Sequence, residues 1–295
     1  MSTDSTAAIS ADRVTIRYGR KVAVDDVTLS IERGSVYALL GRNGAGKSSF
    51  VRALLGQQLP DSGAIRLFSE DVWRRRDTLM ERVGIVPEDA DTPPDMRVED
   101  LVRFWSWLYS RWNGTMFNER MRRFAIAPRT RFGDLSKGQK KQVALAMALA
   151  TSPELLVLDD PTLGLDVVAR KSLFEEVISE MADRGITVFI TTHDLGGVET
   201  IADRIGILKS GRLVLDEELE AMKARFRRVR FAARPVALAN GSLATANVRA
   251  WGSGTEAVVT NFDDLAMERF GNADVAEVAP MSLEEIFIAV AGEEA

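Results

Sequence analysis

Val36-Tyr37-Ala38-Leu39-Leu40-Gly41-Arg42-Asn43-Gly44-Ala45-Gly46-Lys47-Ser48-Ser49 is the stretch on which the reading of this chain turns. Val36 to Leu40 is a short apolar run that predicts a strand, Gly41 ends it, and Ser48 to Leu55 reads as a helix. Strand, glycine-rich loop and helix follow without a gap. Gly41, Gly44 and Gly46 let backbone N–H groups converge on phosphates at a helix N-terminus. The spacing G-x-x-x-x-G-K-S adds chemistry: Lys47 can reach the β- and γ-phosphates of a nucleotide, and the Ser48 hydroxyl can ligate magnesium.

Upstream, Val14 to Ile31 alternates in short segments broken at Gly19 and at Asp25-Asp26, which predicts antiparallel strands. Downstream, Val83 to Val86, Leu155 to Leu158 and Thr187 to Ile190 are apolar runs of the length of buried parallel strands. Val98 to Trp112 and Gly138 to Ala150 carry helical spacing, punctuated by Pro93-Pro94, Pro128 and Pro153, so an α-helical insert is expected at about 95–150. Ile205 to Leu208, Ser210-Gly211 and Leu213 to Leu215 predict a hairpin. Past residue 226 the pattern changes to short strands with turns at Asn240-Gly241 and Gly252-Ser253-Gly254. Ser282 to Glu285 then fits a capping box that opens a last helix. The expected fold is α/β: a nucleotide-binding domain over 10–216, with an antiparallel β subdomain and the helical insert, and a small accessory α/β domain over 226–295.

Composition narrows the function. The 295 residues carry a net charge of -5, which argues against broad binding of nucleic acid. No uninterrupted run of roughly 18 apolar residues is present. The polar start, Met1 to Asp12, resembles neither a secretory signal nor a transit peptide, so cytoplasmic residence is expected. With no cysteine and a single histidine, disulfides and thiolate or His-cluster metal sites drop out, and any metal must use oxygen ligands. Arg74, Arg75 and Arg76 read as a solvated face, and Arg225, Arg227, Arg228 and Arg230 as the polar side of a half-buried strand.

Leu155-Leu156-Val157-Leu158-Asp159 delivers a carboxylate at a strand end, where it can hold magnesium beside the phosphates. Ahead of it stands Leu135-Ser136-Lys137-Gly138-Gln139. Ser136 and Gln139 can form a capping box, and a capped helix N-terminus is itself a phosphate site. With this motif in place, the chain resembles the ABC ATPase family, whose signature is usually Leu-Ser-Gly-Gly-Gln. Lys137 departs from it.

The resemblance covers about residues 10–216 and implies the remaining roles. Tyr18 is similar to the aromatic residue that stacks on adenine. Gly41, Arg42, Asn43, Gly44, Ala45, Gly46, Lys47, Ser48 and Ser49 form the rest of the ATP-binding set. Ser48, Asp159 and Glu88 would meet magnesium, Glu88 standing where the family has glutamine. Gly164, Leu165 and Asp166 resemble the loop that links two active sites, and Asp166 can also cap the next helix. His193 matches the histidine that contacts the γ-phosphate. Asp160 stands where the family has the glutamate that orients or deprotonates water. Its side chain is one methylene shorter, about 1.5 Å, so slow hydrolysis is expected.

By that resemblance the protein is an ATPase using ATP and Mg2+. It would dimerise head to tail with an identical or related subunit, so that Leu135 to Gln139 of one copy faces the nucleotide of the other. It would drive separate transmembrane permease subunits from the cytoplasmic face, with export as the expected direction. Trp105, Trp107 and Trp112 are candidates for the docking surface. The alternatives are a soluble ABC ATPase outside transport and a slow, regulatory half-site.

Overall fold

A computed structural model describes residues 6–89, 92–232, 244–263, 265 and 275–292. The chain divides into two units, one of residues up to 202 with 208–213, the other of 203–207 with 214 onward. In chain order the described elements are β1 (Ala7–Tyr18), β2 (Lys21–Glu32), β3 (Val36–Leu40), α1 (Lys47–Leu54), β4 (Ser62–Leu67), β5 (Glu70–Asp71), α2 (Arg76–Met80), β6 (Val83–Val86), α3 (Val98–Leu108), α4 (Gly114–Arg123) and α5 (Lys137–Ala150). There follow β7 (Leu155–Asp159), α6 (Val167–Arg184), β8 (Thr187–Thr192), α7 (Leu195–Val198), β9 (Arg204–Lys209), β10 (Arg212–Glu218), α8 (Leu219–Arg225), β11 (Arg227–Phe231), β12 (Thr245–Trp251), β13 (Gly254–Val259), β14 (Val275–Pro280) and α9 (Leu283–Ala291).

In the first unit β1 and β2 form an antiparallel pair turned at Gly19-Arg20, where Gly19 takes φ +60 as a two-residue hairpin turn requires. Asp25-Asp26 does not break β2 as its composition suggests. It forms a bulge instead: Val14 pairs with Val27 and Ile16 with Val24, and Asp26 takes φ +55. β4 and β5 extend this sheet in the order β2-β1-β4-β5. Its inner side chains, Ile9, Val14, Ile16 and Val24 among them, share a core with Phe50 and Leu54 of α1 and Phe189 of β8.

Within the first unit the second sheet runs β3-β8-β7-β6, and residues 208–213 at the tip of the β9–β10 hairpin belong to the same unit. β3, β8, β7 and β6 are parallel and almost wholly buried, as their unbroken apolar runs predict. Their register aligns Leu40 with Thr192, Asp159 with Thr191 and Val86 with Leu158. Whatever follows each strand therefore emerges on one edge.

The expected helix 98–112 ends early: α3 stops at Leu108, Tyr109 is extended, and Asn113 caps α4 by accepting from the Met116 N–H. α3, α4 and α5 enclose their own small core around Phe117, Met121, Val143 and Met147, on which Trp105 and Trp112 pack. Trp107 does not join them and is 82% exposed. No helix among the described residues is long and apolar enough to cross a membrane.

In the second unit β11 to β14 form an antiparallel sheet in the order β12-β13-β11-β14, with Val229, Phe231, Ala257 and Val259 at its centre. Arg228 and Arg230 lie on the opposite side of β11 and pair with Glu285 and Glu256. Gly252-Ser253 joins β12 to β13, and Ser282 with Glu285 forms the expected capping box of α9. Asn240-Gly241 lies outside the described residues.

Candidate nucleotide site

The loop between β3 and α1 has its shape because three positions tolerate only glycine. Gly44 and Gly46 take φ +82 and +112. A Cβ on Gly46 would lie 2.2 Å from the Ala23 carbonyl oxygen, and one on Gly41 would lie 2.8 Å from that of Leu208. Ala45 N–H donates to the Arg42 carbonyl, closing the loop and leaving Arg42, Asn43 and Gly44 exposed. α1 begins at Lys47 with no side-chain cap, so its first N–H groups face the loop.

Lys47 is buried, and its ammonium donates to the carbonyls of Gly41 (2.6 Å) and Arg42 (3.4 Å). Burial lowers its pKa, and the charges of Asp160, Asp159 and Glu88 act to raise it. Strands β7 and β6 thus bring three carboxylates to the same cation. Asp159 accepts from the Thr191 hydroxyl at 2.5 Å. Asp160 takes φ +45, an unusual conformation for a residue with a side chain and one that clusters at functional sites. Its carboxylate accepts from the Thr192 hydroxyl (3.3 Å) and meets His193 Nδ1 at 2.8 Å. Asp194, the next residue, is gripped by Arg170 of α6 at 2.9 Å.

Tyr18, 43% exposed, lies at the end of β1. Its hydroxyl donates to Gln58 (2.5 Å) and accepts from Arg52 (3.3 Å). A hydrogen bond with Ser49 and the charge of Arg52 lower its pKa. The hydroxyl is thereby tethered to α1 while the residue as a whole stays exposed.

A second cluster forms at the start of α5. Ser136 accepts from the Gln139 N–H and Gln139 reaches back to the Ser136 N–H, the complete capping box. Gly138 packs near Leu165 and Ala169, and the stem of Lys137 lies against Gly164, whose φ is +75. Asp166 caps α6 by accepting from the Ala169 N–H. Leu135 is buried beneath this turn, and Ser136 and Lys137 are exposed.

Sequence reasoning missed Thr191, Thr192 and Lys141. The threonines looked like ordinary strand residues, and only the parallel register shows that their hydroxyls meet Asp159 and Asp160. Lys141 sits one helical turn into α5, buried, with its ammonium on the carbonyls of Pro87 (2.7 Å) and Glu88 (2.5 Å). Among the described residues no group of three His, Cys, Asp or Glu side chains is placed to hold a metal alone. A hydroxyl and one or two carboxylates fit magnesium shared with substrate phosphates better than an all-protein cage.

The model of the family described as ABC transporter matches residues 24–163. Nod factor export ATP-binding protein I of Burkholderia orbicola (strain AU 1054) is 37% identical over 223 residues, 72% of this chain and 71% of that protein. The chain belongs to the ABC transporter family. Bacitracin transport ATP-binding protein BcrA of Bacillus licheniformis is 30% identical over 222 residues, 75% of this chain and 72% of its own. Among solved structures, an ATP-binding subunit of an ABC transporter superposes with a TM-score of 0.67 at 26% identity, covering 73% of this chain and 92% of that one. The protein cbiO1 from Clostridium perfringens, part of the ABC transporter complex cbiONQ, gives 0.64 at 28% identity, with 73% and 90% covered. This ABC protein is an ATP-binding subunit that hydrolyses ATP, and its P-loop α/β fold with helical subdomain is that of the family. Use of ATP with magnesium, and the pairing of such subunits with permeases, are general to ABC transporters.

Proposed function

We propose that this chain is the motor of an exporter and turns over ATP slowly. The single observation that carries the reading is the convergence of Lys47, Asp159, Asp160 and His193 at one sheet edge beside an uncapped helix N-terminus. Lys47 and the loop amides would hold the phosphates, and Tyr18 would lie on the base. Ser48 and Asp159, with Glu88 nearby, would hold magnesium, which supplies charge neutralisation of the triphosphate. Thr191 holds one Asp159 oxygen, and the other would face the magnesium.

Asp160 would orient the attacking water. Its carboxylate is held by His193 and Thr192, and it lacks the methylene that would carry it further toward the phosphates. These two polar partners and the short side chain together favour slow hydrolysis. His193, with Nδ1 engaged, presents its other nitrogen for the γ-phosphate.

The Ser136 turn, with Gly164 to Asp166 beside it, would complete the site of a second copy or sibling subunit. Export as the direction rests on the relatives named for Nod factor export and bacitracin transport. The permease would dock on the helical part, where Phe104, Trp107 and Leu108 of α3 are more than half exposed. That arrangement puts the subunit at the cytoplasmic face of the membrane. Fluorescent-ATP titration tests the site: binding in the intact chain and its loss in Lys47→Ala are expected, and equal affinity of the two would overturn the reading. Copurification of the chain from membranes with hydrophobic subunits tests the partner.

A further inference from the structure

Lys141 is a costly residue. Lys141 stands outside the motif Leu135 to Gln139, and an ammonium withdrawn from water must recover its hydration from the protein. It does so by donating to two successive carbonyls, Pro87 (2.7 Å) and Glu88 (2.5 Å), of the loop that follows β6. α5 carries the Ser136 turn at its start, so one side chain bolts the signature helix to the loop that holds Glu88. The cation also stands among carboxylates. Burial lowers its pKa, and Asp89, Asp160, Glu88 and Asp159 act in that order to raise it.

The same neighbourhood contains one of the departures noted from sequence, an acid at 88 where the family has an amide. With Asp159, Asp160 and Glu88 all acting on Lys47, this edge carries one more negative charge than an amide would bring. Triphosphate entering it would meet that added charge directly. We propose that Lys141 is a positioning residue that compensates the acid at Glu88: it fixes the loop backbone from α5 and offsets the carboxylate, so that an anionic substrate is accepted. The inference rests on the site reading above and deepens it, since it assigns the two unusual residues to one device.

The two parts of the claim separate by experiment. A double-mutant cycle of Lys141→Met and Glu88→Gln is measured first on the urea midpoint of the full chain without nucleotide or magnesium, then on KM and kcat for ATP. Lys141→Met alone is expected to lower the midpoint and to raise KM for ATP by about tenfold, as loss of a close charge-assisted contact does, with a smaller change in kcat. In the Glu88→Gln background the KM penalty is expected to shrink to less than about threefold, and Lys141→Arg to restore most of the affinity. Should Lys141→Met unfold at the assay temperature, Lys141→Gln, which keeps a donor for the carbonyls, takes its place in the cycle. Equal penalties in both backgrounds would overturn the proposal, as would a larger rescue of KM by Asp89→Asn than by Glu88→Gln. Failure of the site reading itself would show elsewhere, as unchanged nucleotide affinity in Lys47→Ala.

Discussion

Two regions of the first unit bury charge, and they do so in opposite ways. Between α4 and α6, Arg120 pairs with Glu176 at 3.0 Å and with Glu180, while Arg123 closes on Glu176 and Arg184 on Glu180. The Arg120, Glu176 and Glu180 side chains are 8%, 5% and 5% exposed, so water cannot substitute for a lost partner. At the sheet edge the buried cations Lys47 and Lys141 rest on neutral carbonyls, and the nearby acids are turned by hydroxyls and a histidine. The first region is a closed set of ion pairs. The second leaves its charges available to a ligand, which is what distinguishes a binding site from a buried brace.

The sharpest break of that contrast is Arg120→Ala. It removes the buried cation that the two carboxylates share and leaves each with one outer partner, Arg123 on Glu176 and Arg184 on Glu180, so we expect a loss of about 3 kcal/mol in urea unfolding, the low end for a broken buried pair. ATP affinity of the protein that remains folded should be unchanged. Next in size is Asp160→Asn, expected to lower steady-state ATP turnover by at least about a hundredfold with little change in stability, because a positioned base contributes 10²- to 10⁴-fold. Asp160→Glu should raise turnover, and no response to either change would remove Asp160 from the reaction.

Lys47→Ala should weaken fluorescent-ATP binding by about a hundredfold, the loss of charge-assisted bonds to phosphate. The urea midpoint should shift less than it does in Lys141→Met, because Lys47 bonds only carbonyls of its own loop and losing them is offset by no longer burying an ammonium. A large destabilisation here would mean that Lys47 belongs with the braces. The smallest effect is expected at Glu154, a half-exposed acid at the start of the β7 region that takes two 2.8 Å bonds from Arg82. Those bonds hold its carboxyl below the ordinary glutamate value. The folded chain therefore binds that proton less readily than the unfolded chain, and the pair stabilises at neutral pH. The contribution fades as pH falls below the ordinary glutamate value and is gone below the folded one. Glu154→Gln should cost less than about 1 kcal/mol at pH 7, with the difference from the parent chain vanishing in acid.

Much of this was present in the order of the residues. Apolar runs of four or five residues bounded by turn signals are too short for buried helices and fit strands covered on both faces, so the parallel sheet was legible, and the glycines at 41, 44 and 46 announced a backbone that other residues follow only under strain. The capping residues Ser136, Asp166 and Ser282 were equally visible, because a helix cap is a local bond between residues three apart. Helix α4 was harder to see. Its charged stretch hides Arg120, Arg122 and Arg123, of which only Arg120 turns inward, to partners more than fifty residues away.

Pairings across such distances are what tertiary structure alone decided. Thr191 reaching Asp159, Thr192 and His193 meeting Asp160, and Lys141 bolted to the Glu88 loop all depend on which strand lies next to which, and on a register that local sequence does not encode. Chemistry carried by a contiguous motif is set by the backbone of a few neighbouring residues. The orientation and charge balance of that chemistry come from side chains that meet only when the sheet has assembled.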